Sequence, residues 1–221
     1  MKDKINQLKD KENYTFDDLQ SIMEILRSPE GCPWDREQDH SSIRKNFIEE
    51  TYEVAEAIDA DDPAMLCEEL GDVMMQVVFH TEIEKGIGRF EMNDVINGVC
   101  KKLVYRHPHV FGDVTADTAE KVLVNWDTLK KAEKGHKDIG DVLASVPTTL
   151  PALMKAQKMI KKATKAGVSL CENGSEYDGF TTEEYAEILM KICSSAARNG
   201  VDLEEILDIK CKDMVNIYKK A

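Results

Sequence analysis

Apolar residues recur along this chain at steps of three and four, most plainly where Leu66, Leu70, Val73, Met74, Val77 and Val78 follow one another. Steps of that size return a side chain to one face of a helix, whereas a half-buried strand needs a step of two. The pattern predicts helices near 15–28, 41–60, 63–85, 92–106, 117–134, 149–165, 181–199 and 202–220. The six prolines (Pro29, Pro33, Pro63, Pro108, Pro147 and Pro151) punctuate these segments, where a missing N–H does least harm. No stretch is rich in alternating β-branched residues, so the fold class is all-α. Helix 63–85 follows Asp61-Asp62 and begins on Pro63, a capping residue and a first-turn proline. Its dense apolar repeat predicts a place at the centre of the core.

An internal echo suggests two related helical halves. ELGDVMMQVVFHTEIEKG from Glu69 aligns with EYAEILMKICSSAARNG from Glu184, each followed by an acidic helix start and a further helix. The second half keeps the apolar rhythm and the pair Glu184 and Glu187, but ALMKAQKMIKKATKAG has lysines where the first half has glutamates. CENGSEYDGF (171–180) has the composition of a loop. A soft boundary near 140–150 gives two domains, 1–145 and 146–221.

Composition narrows the function. A hydrophobic share of 42% is enough for an ordinary core, and 29 Lys plus Arg against 42 Asp plus Glu leave a formal charge of -13. That charge opposes a sequence-independent grip on a nucleic-acid polymer. It is compatible with a phosphorylated small molecule if a divalent cation lies between protein carboxylates and phosphates. The six cysteines (Cys32, Cys67, Cys100, Cys171, Cys193 and Cys211) form no CxxC pair, so neither a zinc site nor a disulfide framework is expected. The charged opening MKDKINQLKDKENY, and no apolar run near the roughly 18 residues of a membrane span, predict a cytoplasmic protein with no membrane partner.

The candidate chemistry is a set of carboxylates. In EETYE, Glu50 and Glu53 are three residues apart on one helical face with Glu49 beside them, and Glu69 and Asp72 repeat that spacing on the next helix. A connection of a few residues around Asp61-Asp62 makes these helices antiparallel neighbours. Two carboxylate pairs then face each other across one seam, where hard oxygen ligands suit magnesium or manganese. Taken alone, EExxE is also what the solvated face of an acidic helix presents. Tyr52, Val54, Leu70 and Val73 are expected to be buried next to the acids, and Met74 and Met75 to fill the core. Gly71, costly in a helix by ~1 kcal/mol against Ala, suggests a close approach.

EETYE followed by EELGD resembles the EExxE…ExxD signature of MazG-type nucleotide pyrophosphohydrolases. GCPWDREQDHSSI (31–43), GRFEMNDV (88–95), KKLVYRHPHVFGD (101–113) and VNWDTLKKAEKG (124–135) resemble the same family in order and spacing, over about residues 16 to 135. The resemblance implies an all-α MazG-like helical bundle. It also implies magnesium-dependent hydrolysis of ribo- or deoxyribonucleoside triphosphates to the monophosphate and pyrophosphate. In that reading Glu50, Glu53, Glu69 and Asp72 are magnesium ligands, with manganese a substitute, and Glu49 serves a second ion or the attacking water. Lys102 and Arg106 match a basic pair for the triphosphate. Trp126 and Lys130 match a stacking ring and a phosphate contact, with Trp34 in CPWD a second ring for the base. A homodimer is implied as well.

The second half departs from the pattern. EExxE is absent around 150–220, and Asp213 and Ile217 stand about where the basic pair would fall, so this half reads as a degenerate repeat kept for packing or assembly. Two other functions compete. One is a catalytically idle helical assembly protein that binds a divalent ion or nucleotide, which would not require the acidic and basic sets. The other is a di-iron bundle using Glu37-x-x-His40 and Glu133-x-x-His136, which lie in a loop and at a helix end rather than on interior helices. His107 and His109, flanking Pro108, read as a structural loop.

Overall fold

The protein is described by a computed structural model covering residues 2–134, 138–171 and 174–219, with the side chains at 127, 130–132 and 134 outside that description. The chain forms two compact units, Met1–Ala116 and Asp117–Ala221. No strand occurs among the described residues, as the three- and four-residue rhythm predicts. The first unit contains α1 (Lys2–Lys9), α2 (Phe16–Arg27), α3 (Pro33–Glu37), α4 (Arg44–Asp59), α5 (Pro63–Gly86), α6 (Met92–Arg106) and α7 (Pro108–Phe111). The second contains α8 (Ala119–Lys134), α9 (Ile139–Ala144), α10 (Ala152–Lys165), a 3-10 turn at Ser175–Tyr177, α11 (Thr182–Asn199) and α12 (Leu203–Lys219).

Helix α5 is the centre of the first unit, packed against α2, α4 and α6. Its core is Met23 from α2, Ile43 just before α4, Val78 and Phe79 from α5, and Met92 from α6, flanked by Phe16, Leu19, Met75, Val77 and Ile83. Capping fixes where these helices begin. Thr15 and Asp18 form a reciprocal capping box on α2, and on α6 the Asp94 carboxylate accepts from the Glu91 N–H at 3.0 Å. The Asp62 carboxylate accepts from the N–H groups of Ala64 and Met65 at 2.9 and 3.1 Å, ahead of Pro63 at the first helical position of α5.

The second unit is organised around Leu143, Val146, Met159, Ala163 and Cys211, drawn from α9, α10 and α12 and the turn after α9. Lys155 is buried in it, donating to the Thr148 carbonyl at 2.6 Å and paired with Asp208.

Several apolar expectations are corrected. Tyr52 is 64% exposed, and Leu70 and Met74 are also exposed, while Val54 and Val73 are half-buried. A Cβ added at Gly71 would meet nothing within 4 Å. The cause is the choice of contact face: α4 and α5 meet along a polar stripe, which turns the neighbouring apolar positions outward.

Candidate metal centre

The site is built by the antiparallel register of α4 and α5. Asp61 takes a left-handed conformation (φ 52°) that reverses the chain between them, a conformation Asp tolerates better than most residues. From that turn the two helices pair step by step. Glu53 stands against Glu69, Glu50 against Asp72 and Gln76, and the Phe47 ring against His80 with centroids 5.6 Å apart. Moving N-terminally along α4 thus moves C-terminally along α5.

Glu50, Glu69 and Asp72 each bring a carboxylate oxygen within 4.8 Å of the others. All three are half-buried, and among the described residues no other group of three Asp, Glu, His or Cys side chains converges in this way. Glu53 is exposed at the edge of the cluster, within hydrogen-bonding reach of both Glu50 and Glu69. Burial pushes the Glu50 carboxyl above the usual range, helped by contact with Glu53 and the charge of Asp72, while the Gln76 amide opposes the shift. Burial also raises Glu69, aided by the charges of Glu53, Glu68 and Asp72. The charges acting most strongly on the two among the described residues are those of other carboxylates. Three converging acidic groups, offering only hard oxygens, fit magnesium or manganese and do not fit a soft metal.

The other sequence-predicted residues are distributed around the chain. Glu49 is exposed on α4 and Lys102 is exposed on α6. Arg106, the last residue of α6, is 6% exposed and engaged by other groups. Trp34 is 59% exposed on α3. Its segment is pinned by Arg27, whose guanidinium donates to the carbonyls of Asp35 and Gln38 and lies 5.0 Å over the Phe79 ring. A tight turn at Gly31 precedes it, where a Cβ would fall 2.1 Å from the Ile25 carbonyl oxygen. Trp126 is half-buried on α8 in the second unit, and the side chain of Lys130 lies outside the described residues.

Two features escaped the sequence reading. Gln76, one turn beyond Asp72, is buried beneath the cluster. In addition, His40 bridges the loop before α4 to α5, with its Nδ1 2.8 Å from His80 Nδ1 and its Nε2 2.5 Å from Glu84 Oε1. Arg89 pairs with the other Glu84 oxygen at 3.0 Å, and burial, followed by the charge of His40, lowers the His80 pKa. His40 therefore anchors α4 at the register seen in the cluster and is not arranged as half of a di-iron Glu-x-x-His site. His136 of the other such motif lies outside the described residues. The only signal for Gln76 was a lone amide in the apolar run VMMQVVF.

Comparison with known proteins bears on this geometry. Residues 38–111, which span both carboxylate pairs, match the MazG nucleotide pyrophosphohydrolase domain. The chain is 36% identical over 220 residues to the nucleoside triphosphate pyrophosphohydrolase/pyrophosphatase MazG of Thermotoga maritima, covering 93% of this chain and 84% of that protein. It is 39% identical over 195 residues to the nucleoside triphosphate pyrophosphohydrolase of Escherichia coli K12, covering 88% of this chain and 74% of that one. It is also 49% identical over 148 residues to the uncharacterized protein YabN of Bacillus subtilis, where the match spans 67% of this chain but only 30% of the longer relative.

Proposed function

Because the chain belongs to the MazG family of nucleotide pyrophosphohydrolases, we propose that it hydrolyses nucleoside and deoxynucleoside triphosphates to the monophosphate and pyrophosphate, with magnesium held at the α4–α5 seam. The observation that carries this reading is the convergence of Glu50, Glu69 and Asp72. Glu53 completes the ligand set, and manganese can replace magnesium. When bound, the divalent ion neutralises phosphate charge and makes water nucleophilic. The carboxylates orient what they hold, and Glu49 serves the attacking water or a second ion. Lys102 and Arg106 bind the triphosphate, and Trp34 stacks on the base.

The protein acts as a homodimer in this reading. Support comes from the exposed apolar side chains of the first unit, among them Tyr52, Leu70, Met74, Val99 and Leu103, which a second copy of the bundle would cover. Residues 146–221 are a degenerate repeat that serves packing or assembly. No helix among the described residues is long and apolar enough to cross a membrane, and the nucleotide substrate points to the cytoplasm.

The test is product analysis with each common ribo- and deoxyribonucleoside triphosphate plus magnesium. The expected result is monophosphate and pyrophosphate in equal amounts, lost in Glu53→Ala, in Glu69→Ala and without magnesium. Equal inertness of wild type and variants across the panel would leave the seam as a binding site of an assembly protein.

A further inference from the structure

Gln76 follows Asp72 by one helical turn on the face of α5 that meets α4. It is 5% exposed, with its amide within hydrogen-bonding reach of the Glu50 carboxylate and its Oε1 buried without a partner. The orientation of the amide follows from its neighbour: reversal would set its oxygen against a carboxylate and leave the NH2 group unsatisfied. A leucine or methionine, as in the surrounding run of Val73, Met74, Met75, Val77 and Val78, would fill the same space and leave no orphan acceptor. Packing alone therefore does not account for a buried amide here, since an unpaired buried acceptor is unfavourable. A water held at the adjoining carboxylates when an ion is bound would supply the donor it lacks. Magnesium and manganese keep water ligands, and a ligating carboxylate is held in place by groups behind it.

We propose that Gln76 is a positioning residue of the metal centre, holding Glu50 through its amide nitrogen and accepting, through Oε1, a hydrogen bond from water held at the carboxylates. This inference rests on the metal-site reading above and deepens it. Gln76 touches neither the phosphates nor the reacting atoms in this account. Its effect is on ion affinity and on the order of the bound water.

The test is titration of the full chain with Mn2+ alone by calorimetry, with water-proton relaxation of the bound ion measured in parallel. Wild type is compared with Gln76→Leu, Gln76→Met and Glu50→Gln, and each is melted in EDTA. Both Gln76 variants should bind Mn2+ about 10- to 100-fold more weakly, with altered relaxation, while still melting cooperatively in EDTA. Gln76→Met supplies the test if Gln76→Leu does not fold. Wild-type Mn2+ affinity and relaxation in the variants, or a lowered melting temperature with unchanged affinity, would overturn the role. If wild type binds and Glu50→Gln does not, that failure is confined to Gln76. If wild type binds no Mn2+, the metal-site reading fails together with it.

Discussion

Replacing Glu50 with glutamine should make the metal-free protein more stable while removing its grip on the ion. Glu50 is half-buried, with an oxygen no more than 4.8 Å from one of Asp72. Two unit charges at that limit repel by about 0.9 kcal/mol even at the dielectric constant of water. The sign agrees with the raised Glu50 pKa: a carboxyl titrating higher in the folded chain than in the unfolded one is destabilising once ionised. The metal-free fold should therefore lose stability as pH rises through the Glu50 titration, and Glu50→Gln should remove that loss while retaining an oxygen to accept from Gln76. A gain of about 1 kcal/mol corresponds to roughly 2–4 °C in melting temperature for a chain of this size. Scanning calorimetry in EDTA at low salt and neutral pH reads it directly. Saturating Mn2+ should reverse the order, because an ion at 100 times its Kd stabilises the wild type by about 2.7 kcal/mol. A Glu50→Gln protein that melts below wild type in EDTA would show that Glu50 is not under repulsion, and one stabilised equally by Mn2+ would show that Glu50 does not hold the ion.

Other expectations follow from single contacts. Asp62→Ala removes the cap of α5 and should cost about 1 kcal/mol, seen as a lower urea midpoint with an unchanged slope. Asp18, hydrogen-bonded by Lys11 and then by Thr15, is held from its ordinary 3.8 down to about 2. Its stabilising contribution is thus present above 3.8 and lost as pH falls toward about 2. Asp18→Asn should flatten that acid limb of the melting profile; an unchanged limb would refute the assignment. Trp34, at 59% exposed, should be dispensable for stability but not for the base. Trp34→Ala should leave the melting temperature unchanged and raise KM roughly tenfold, given the ~1–3 kcal/mol of a base stacked on an aromatic ring. An unchanged KM would remove Trp34 from the substrate site.

The long helices were legible because each carries several turns of apolar repeat, and α6 has the predicted bounds, Met92–Arg106. The short helices α1, α3, α7 and α9 were not, since four to eight residues hold too few repeats to declare a period. The carboxylate cluster was readable because it arises from local rules: acids at three-residue spacing on two helices joined by a short turn. Gln76 and the contact of His40 with His80 and Glu84 depend on how α4 and the loop before it align with α5, and no local spacing encodes that alignment. Tyr52, Leu70 and Met74 show the same limit from the other side. An amphipathic pattern marks an apolar face, but not whether a neighbouring helix of the fold packs onto it.

Glu50, Glu69 and Asp72, with Glu53 beside them, are proposed to hold the ion on which hydrolysis depends. Crystals of the full chain containing Mn2+, with anomalous diffraction recorded at the manganese edge, test this most directly. A peak is expected at the α4–α5 seam, within bonding distance of an oxygen of each of the three carboxylates. A seam resolved with its carboxylates ordered but without a manganese peak, while Mn2+-dependent hydrolysis persists in the same preparation, would contradict it.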